Sequence, residues 1–307
     1  CESRKKKKVL LAILPNGLKV SVEDPTLQSP LQSLKAKIKS LGSEERTINP
    51  PPPYTTDTLL RDASVKLGFS ATKAMMIAQD LFEVGLCTYH RTDSTTVSAV
   101  GVGIAREYIQ ERFPDLFVPR RYAMEGAHEC IRPTKAVDAE RLEHLLSLRI
   151  LRFPKTLTHD HFHLYDLIFK RFIASQMKEV RLLYQRFKVL IDGNETAVEN
   201  PVNIVSEGFN KVLPIKVTSP VKEGEYELKF ARLLYLPLAR PYSQGEVIAL
   251  MREKGVGRPS TYAKIVSTLL ERKYVVEKKN KLISTLLGYK VYTYLSQHFK
   301  QYISEET

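Results

Sequence analysis

The chain has 307 residues, which is long enough for two or three domains. Of these residues 43% are hydrophobic and 26% are charged, a composition typical of soluble globular proteins. Its formal net charge of +13 favours a polyanionic partner, either nucleic acid or an acidic membrane surface. No apolar run approaches the roughly 18 residues that span a bilayer, and the three scattered cysteines exclude a disulfide framework and a zinc site.

Short strands and turns are predicted for residues 1–49. A basic run at residues 5–8 leads into an apolar strand at residues 9–14, and a turn at Asn16-Gly17 precedes a second strand at residues 18–22. The basic and apolar order is also typical of a signal peptide, but the apolar part is short and no small-residue cleavage site follows. Because the first residue is Cys1 rather than Met, we expect a fragment or a processed chain.

Four consecutive prolines, Pro50 to Pro53, predict a stiff boundary, and helical patterns follow it. Ser70 and Gly85 have the positions of a helix cap and a helix stop around residues 71–84. The predicted helices are an element capped by Thr58 that ends near Gly68, residues 71–84, residues 98–113, and segments within 138–151 and 161–180.

From about residue 181 to residue 240 the pattern changes to strands. Strands are predicted at residues 182–191, 212–217 and 226–228, with a turn at Asp192-Gly193-Asn194. The last 70 residues contain a helix that stops at Gly255, a helix at residues 261–273, and two strands at residues 274–277 and 281–285. Helix, turn, helix and hairpin in this order are typical of a winged-helix-like module.

The segment Thr88-Tyr89-His90-Arg91-Thr92-Asp93-Ser94 places a phenol, a guanidinium and a carboxylate at alternate positions. In an extended backbone Tyr89, Arg91 and Asp93 point to the same side. A phenol is a poor nucleophile at neutral pH, and a neighbouring cation both stabilises phenolate and neutralises a phosphate under attack. Transfer of a phosphodiester to tyrosine is therefore one hypothesis, and a surface strand with an ordinary Tyr–Arg stack is the simpler one.

The turn Gly255-Val256-Gly257-Arg258-Pro259-Ser260-Thr261 has the features of a phosphate-binding turn. Its glycines allow close approach of the backbone, Ser260 and Thr261 stand at a helix start, and Arg258 adds charge. A plain capped helix entrance is the alternative, and the positive net charge favours phosphate. No Gly-x-x-x-x-Gly-Lys-Ser/Thr sequence occurs, so no ATP site is predicted.

Two histidine-containing segments carry weaker signals. His128 lies in a predicted loop with Glu129 and could hold a phosphate oxygen, relay a proton or simply form a structural hydrogen bond. The cluster His159-Asp160-His161-Phe162-His163 suggests a metal site, but a polar loop is the favoured interpretation. No Asp-x-Asp-x-Glu cluster is present to bind divalent ions, so any such metal site must come from elsewhere.

Three motifs resemble, in their order and spacing, those of the type IA DNA topoisomerases. They are the Tyr89 to Ser94 segment, Gly126-Ala127-His128-Glu129-Cys130-Ile131-Arg132-Pro133-Thr134, and the Gly255 turn extended to Tyr262. Residues 67–79 also resemble the helix that leads to the family's catalytic tyrosine. The resemblance covers nearly all of residues 50–285. The sequences around Tyr89 and His128 are more similar to reverse gyrase than to the ordinary relaxing enzymes.

This resemblance implies an α+β, multidomain fold that is a fragment of the family's toroid. Residues 1–49 and 179–240 would be the two parts of a β-rich arch, residues 50–178 a helical domain with the catalytic tyrosine, and residues 241–307 a winged-helix-like part of the DNA-holding base domain. The metal-binding toprim domain and the helicase-like ATPase of reverse gyrase have no counterpart in these residues. The chain would therefore be one piece of a larger enzyme, on the same or another polypeptide.

The resemblance also implies roles for single residues. Tyr89 would be the nucleophile that forms a 5′-phosphotyrosine link, and Arg91 would stabilise the scissile phosphate. The implied DNA-binding residues are Gln79, Thr92, Asp93, His128, Arg132, Arg258, Ser260 and Thr261. No metal ligand is expected in this chain: Mg²⁺ would be held by the toprim domain, and ATP would be used only by a separate helicase-like domain.

The resulting functional hypothesis is a type IA topoisomerase component, of the reverse gyrase kind, that cleaves and reseals one DNA strand to change supercoiling. Its partners would be single-stranded and double-stranded DNA in the cytoplasm, at the nucleoid. The alternative is a non-catalytic winged-helix-like DNA-binding protein, in which Tyr89→Phe would change nothing. A tyrosine recombinase is a third hypothesis, distinguished by its 3′ link to DNA.

Overall fold

The computed structural model describes residues 6–122, 128–238 and 240–299, and it confirms an α+β fold. The chain divides into two compact units. Residues 1–50 and 178–240 form one, called here the sheet unit, and residues 51–177 and 241–307 form the other, called the helical unit. Within the described residues no helix has both the length and the apolar character needed to cross a membrane.

The sheet unit contains two antiparallel sheets that share one apolar core. Its strands are β1 (Lys6–Ile13), β2 (Lys19–Glu23), β3 (Lys35–Ile48), β4 (Val180–Ile191), β5 (Asn194–Ser206), β6 (Gly224–Glu227) and β7 (Phe230–Pro237). The strand orders are β2-β1-β7 and β5-β4-β3-β6. Leu10 and Val20 from the first sheet pack with Ile38, Phe187 and Val189 from the second.

Strand β3 is a feature that the sequence analysis did not predict. Ala36 and Ile38 are buried while the lysines between them are exposed, which is the period-two pattern of a half-buried strand. Charge at alternate positions hides this pattern in a Lys- and Ser-rich stretch. The pairing partner, β4, lies far along the chain, since Ile48 is opposite Val180.

In the sheet unit one local prediction, a turn, is confirmed, and another, a strand, is wrong. Asp192 and Gly193 have φ angles of 48° and 79° in the predicted turn between β4 and β5, as a two-residue hairpin requires. The predicted strand at residues 212–217 does not form, and Val212 instead closes the 3₁₀ turn Gly208–Lys211. Pro214, within the predicted strand, lacks the backbone N–H that a position in a β-ladder needs.

The helical unit is built from eight α-helices and a two-stranded hairpin within its described residues. They are α1 (Thr56–Asp62), α2 (Ala71–Glu83), α3 (Ala99–Arg112), α4 (Ala139–Ser147), α5 (His159–Ser175), α6 (Gln244–Glu253), α7 (Tyr262–Glu271), β8 (Val275–Lys278), β9 (Lys281–Ser284) and α8 (Leu286–His298). Large aromatic side chains, among them Tyr54, Phe169 and Phe172, fill the core. Helix α8 was not predicted, and it has no buried residue.

Helix starts follow the capping rules closely. Ser70, Ser98 and Ser243 accept a hydrogen bond from a backbone N–H of the first helical turn, as N-cap residues do. The cap of α1 is Thr55 rather than the predicted Thr58, which is the third residue of the helix and completes a capping box.

The histidine cluster at residues 159–163 is the first turn of α5, so the predicted polar loop is wrong. The Nδ1 atom of His161 faces the backbone N–H of Thr158 at 3.1 Å in a capping arrangement, and Nε2 lies 3.0 Å from Asp80 Oδ2 on α2. Among the residues that the structure describes, no group of three or more His, Cys, Asp or Glu side chains is placed to hold a metal ion.

Candidate active site and nucleic-acid interface

Side chains alternate between solvent and core along residues 89–94. Tyr89, Arg91 and Asp93 are exposed, whereas His90, Thr92 and Ser94 are each 1% exposed. The segment is not a strand of any sheet, yet it has the extended alternation that the sequence predicted. A phenol, a guanidinium and a carboxylate therefore share one solvent-facing side.

Gly85 and a short antiparallel pairing set the position of this segment. Gly85 ends the turn after α2 with a φ of 74°, the left-handed conformation expected of a helix stop. Thr88 then donates its backbone N–H to the carbonyl of Arg132 at 2.9 Å, and its hydroxyl donates to the carbonyl of Cys130 at 2.7 Å. These bonds join the Tyr89 segment to the His128 motif, which is 40 residues away in sequence but adjacent in space.

Thr56 holds the other side of the segment from the start of α1. Its hydroxyl donates to the carbonyl of His90 at 2.7 Å, and its backbone N–H donates to the carbonyl of Thr92 at 2.8 Å. Thr92 in turn donates its backbone N–H to the Thr56 hydroxyl at 2.9 Å. The backbone on the C-terminal side of Tyr89 is thus fixed by one buried threonine, which the sequence analysis did not identify.

The ring of Tyr89 packs against aromatic neighbours while part of the side chain stays exposed to solvent. Its centroid lies 5.3 Å from Phe82 in an edge-to-face arrangement and 6.2 Å from His128. The side chain is 38% exposed, and its hydroxyl makes no hydrogen bond to a residue in the described ranges. Phe82 on α2 was missed, although its place seven residues before the tyrosine puts it at the end of the predicted helix.

His90 is buried beside Tyr89, with a ring centroid distance of 5.5 Å. Neither of its ring nitrogens has a hydrogen-bond partner among the described residues. Burial, followed by the nearby charge of Arg91, lowers the pKa of His90 to about 4. The imidazole is therefore neutral at physiological pH.

Two residues predicted to bind DNA are occupied inside the protein. Arg132 is 6% exposed, and its Nε donates to Glu129 Oε2 at 2.6 Å while Nη1 donates to the carbonyl of Pro133 at 3.1 Å. The hydroxyl of Thr92 accepts the backbone N–H of Ser94 at 3.0 Å. Both side chains therefore shape the segments that carry Tyr89 and His128, and neither is presented to solvent.

The other predicted DNA-binding side chains are accessible. His128 is exposed next to Tyr89, and Gln79 on α2 donates to Glu83 Oε1 at 2.8 Å, one helical turn from Phe82. Arg258, Ser260 and Thr261 are exposed at the start of α7. The part of the second motif at residues 123–127 lies outside the described residues.

Positive φ angles and internal hydrogen bonds define the backbone of the Gly255 turn. Gly255 and Gly257 have φ angles of 70° and 80°, and a Cβ on Gly257 would lie 3.1 Å from Ile265. Arg258 donates from Nη1 to the carbonyls of Gly255 and Gly257 at 3.2 and 2.7 Å. Thr261 accepts the backbone N–H of Arg258 at 2.8 Å through its hydroxyl.

Arg252, on α6, connects this turn to the tyrosine segment. Its Nη1 donates to Asp57 Oδ1 at 2.8 Å, and its Nη2 donates to the carbonyl of Asp93 at 3.3 Å. Asp93, Arg252, Arg258 and Tyr262 line one pocket of about 250 Å³. Arg252 was not predicted from the sequence, although an arginine one helical turn before a glycine motif in a basic protein is a detectable signal.

Comparisons with known proteins identify the family. A family model described as DNA topoisomerase matches residues 21–307. The chain is 50% identical over 275 residues to the reverse gyrase of Pyrococcus furiosus, covering 88% of this chain and 23% of that protein. It is 47% identical over 272 residues to reverse gyrase 1 of Aquifex aeolicus, covering 88% of this chain and 24% of that one.

A solved structure is similar over almost the whole chain. Full-length topoisomerase I from Thermotoga maritima matches with a TM-score of 0.74 and 29% identity, over 98% of this chain and 53% of that chain. The chain spans about a quarter of the length of the reverse gyrases it matches. These matches do not favour the alternative of a non-catalytic winged-helix-like protein, and they confirm the resemblance: this chain belongs to the type IA DNA topoisomerase family.

Proposed function

We propose that this chain supplies the strand-cleaving tyrosine and part of the single-strand-binding surface of a type IA topoisomerase of the reverse gyrase kind. The observation that carries the proposal is the alternation along residues 89–94. It presents Tyr89, Arg91 and Asp93 to solvent on a backbone fixed by buried neighbours. Such fixed, exposed groups are what a nucleophile needs to meet a polymeric substrate.

The proposed chemistry is a reversible transesterification. The Tyr89 Oη attacks a backbone phosphorus, the bond from phosphorus to the 3′ oxygen breaks, and tyrosine becomes joined to the 5′ phosphate. The phenol loses its proton and the departing 3′ oxygen gains one. The reverse reaction reseals the strand, and it needs no nucleotide because the phosphotyrosine bond conserves the phosphodiester energy. Changing DNA supercoiling then requires passage of another strand through the break.

Arg91 and His128 are proposed to act on the phosphate. Arg91 is exposed two residues from Tyr89, where a guanidinium would neutralise the charge that develops during attack. His128 lies beside the tyrosine ring at 6.2 Å and is suited to contact a flanking phosphate. For Arg132 and Thr92 we propose a positioning role, because their polar atoms already bind other residues.

The strand that leads to Tyr89 is proposed to cross the Gly255 turn and the end of α2. Arg258, Ser260 and Thr261 offer a cation and two hydroxyls at a helix start, a favourable site for phosphate. Gln79 lies on the accessible side of α2 near Phe82. The sheet unit is proposed to be the family's arch, and residues 241–307 part of its base domain.

Among the described residues no group of three or more His, Cys, Asp or Glu side chains is placed to hold a metal ion, and no step of the proposed mechanism is assigned to a metal. We propose that Mg²⁺ binds a toprim domain elsewhere in the enzyme, and that ATP serves only a helicase-like domain that drives positive supercoiling. Both parts, together with single-stranded and double-stranded DNA, are the proposed partners, in a cytoplasmic, nucleoid-associated setting.

A covalent adduct tests this proposal. The chain, combined with the remaining enzyme parts and Mg²⁺, is incubated with end-labelled single-stranded DNA and denatured. We expect 3′-labelled DNA to stay attached to the protein, and Tyr89→Phe to abolish the adduct while DNA binding is retained. Tyr292→Phe, at a tyrosine 66% exposed on α8, is the matched control and should behave as wild type.

Two results would overturn the proposal. One is an adduct that persists in Tyr89→Phe. The other is retention of the 5′-labelled fragment instead, which would mean a 3′ link of the tyrosine recombinase type.

A further inference from the structure

The pocket between the tyrosine segment and the Gly255 turn has a mixed chemistry that a phosphate site does not explain. Its volume of about 250 Å³ is smaller than typical pockets for whole small-molecule ligands, which suits one nucleobase better than a complete nucleotide. It is lined by the arginines Arg252 and Arg258, the carboxylate of Asp93 and the aromatic ring of Tyr262.

The guanidinium of Arg258 is oriented so that one of its edges can donate two parallel hydrogen bonds to a ligand. Its Nη1 is occupied by the carbonyls of Gly255 and Gly257. The Nε and Nη2 atoms make no bond to any residue of the described ranges, and they form the other edge of the planar guanidinium. A guanidinium fixed on one edge presents its second edge in a defined plane.

The carboxylate of Asp93 is positioned to accept two hydrogen bonds from a ligand. Arg252 donates to the main-chain oxygen of Asp93 at 3.3 Å, which holds the backbone, and Arg252 is itself held by Asp57 at 2.8 Å. The carboxylate of Asp93 is exposed and has no ion pair or hydrogen bond within the described part of the chain. Both of its oxygens are therefore available to a ligand.

A free carboxylate in a pocket that faces a polyanion weakens phosphate binding by repulsion. It contributes to affinity only where the ligand brings hydrogen-bond donors, and the donors of single-stranded DNA are the amino and imino groups of its bases. Guanine has two adjacent donors, N1–H and the N2 amino group, that match the two oxygens of one carboxylate. Its adjacent Hoogsteen edge has the O6 and N7 acceptors that arginine binds in a bidentate manner.

From this match we infer that the pocket lined by Asp93 and Arg258 binds a guanine base of the single strand that runs to Tyr89. Asp93 accepts from N1 and N2, and Arg258 donates to O6 and N7. Adenine, cytosine and thymine each offer the carboxylate a single donor beside an acceptor. The inference rests on the proposed function, and it adds base selectivity to a site that would otherwise bind only the backbone.

The test measures dissociation constants at fixed salt for fluorescent oligo-dT strands that carry one central substitution. We expect the dG strand to bind about tenfold more tightly than the dA, dC or all-dT strands. A deoxyinosine substitution, which lacks the N2 amino group, and a 7-deazaguanine substitution, which lacks N7, should each lose most of this preference. Salt must be held constant because the backbone contribution varies strongly with it.

Protein variants give an independent readout. Asp93→Asn should remove the preference for dG, because an amide offers one acceptor oxygen where the carboxylate offers two. The dissociation constants of that variant for the dG, dA, dC and all-dT strands should then be equal. Asp115→Asn, at an exposed carboxylate after α3, removes the same charge and should keep the preference. Circular dichroism shows whether each variant is folded, and the base analogues test the inference on the unchanged protein.

Equal dissociation constants for all strands would overturn the inference and leave the proposed function standing. A preference that survives Asp93→Asn would also overturn it. So would an effect of Asp93→Asn that appears only with Mg²⁺, since the carboxylate would then be a metal ligand. Absence of any binding to single strands would overturn both proposals.

Discussion

Replacing His90 with methionine should remove a pH-dependent loss of stability. The imidazole is 1% exposed, and its nitrogens have no partner in the described parts of the chain. Burial and the charge of Arg91 lower its pKa from 6.5 to about 4, against a weaker opposite effect of Glu83. Methionine is a flexible apolar residue that can fill a similar space without a titrating group.

The direction and size follow from proton linkage. Because the folded pKa is lower than the unfolded pKa, the unfolded state binds a proton first as pH falls. Stability is complete above about pH 6.5 and is lost between 6.5 and about 4. At about 1.4 kcal/mol for each pH unit, the whole loss is about 3 kcal/mol. Below this range no further loss comes from His90, and carboxylates dominate.

The assay is urea unfolding at a series of pH values from about 7.5 to about 4.5, followed by far-UV circular dichroism because the chain has no tryptophan. The free energy of unfolding should fall more steeply for the wild type than for His90→Met, by about 2 to 3 kcal/mol over the series. His163→Gln, at an exposed histidine, is the control and should follow the wild type. Parallel pH profiles for wild type and His90→Met would contradict the assigned role of the buried imidazole.

Further predictions concern packing and ion pairing in the helical unit. Gly101→Ala should destabilise it by about 1–3 kcal/mol, because a Cβ there would lie 2.8 Å from Arg132 Nε. Gly103→Ala, in open space on the same helix, should instead stabilise the unit by about 0.5–1 kcal/mol. Thermal unfolding distinguishes the two alanine variants, and equal shifts in their unfolding temperatures would contradict the packing argument. Arg252→Ala should cost about 1–2 kcal/mol by leaving buried Asp57 without its arginine, and a cycle with Asp57→Asn that shows additive losses would disprove the coupling.

Local rules predicted the elements whose signals lie within a few residues of each other. Ser70, Gly85 and the Asp192-Gly193 turn behave as capping and turn rules require. The alternation at residues 89–94 was also visible, since it needs only period two. The order of three motifs led to the family, which the comparisons confirm.

The features that the sequence did not reveal depend on partners distant along the chain. Strand β3 forms because β4 pairs with it, and its own residues are too highly charged to indicate a strand. The burial of Arg132 depends on the close approach that Gly101 allows. The role of Arg252 depends on Asp57 and Asp93, which only the folded chain brings to it.

The ladder between β3 and β4 implies an order of events during folding. Ile48 and Val180 stand opposite each other at one end of the ladder, so pairing there must close a loop that contains residues 51–177. A hydrogen bond within the helical unit brings the two ends of that loop together, since Arg171 donates to the carbonyl of Pro52 at 2.6 Å. We expect residues 51–177 to fold first. Strands β3 and β4 then pair from the Ile48 end, and this pairing would nucleate slowly if the loop were unfolded.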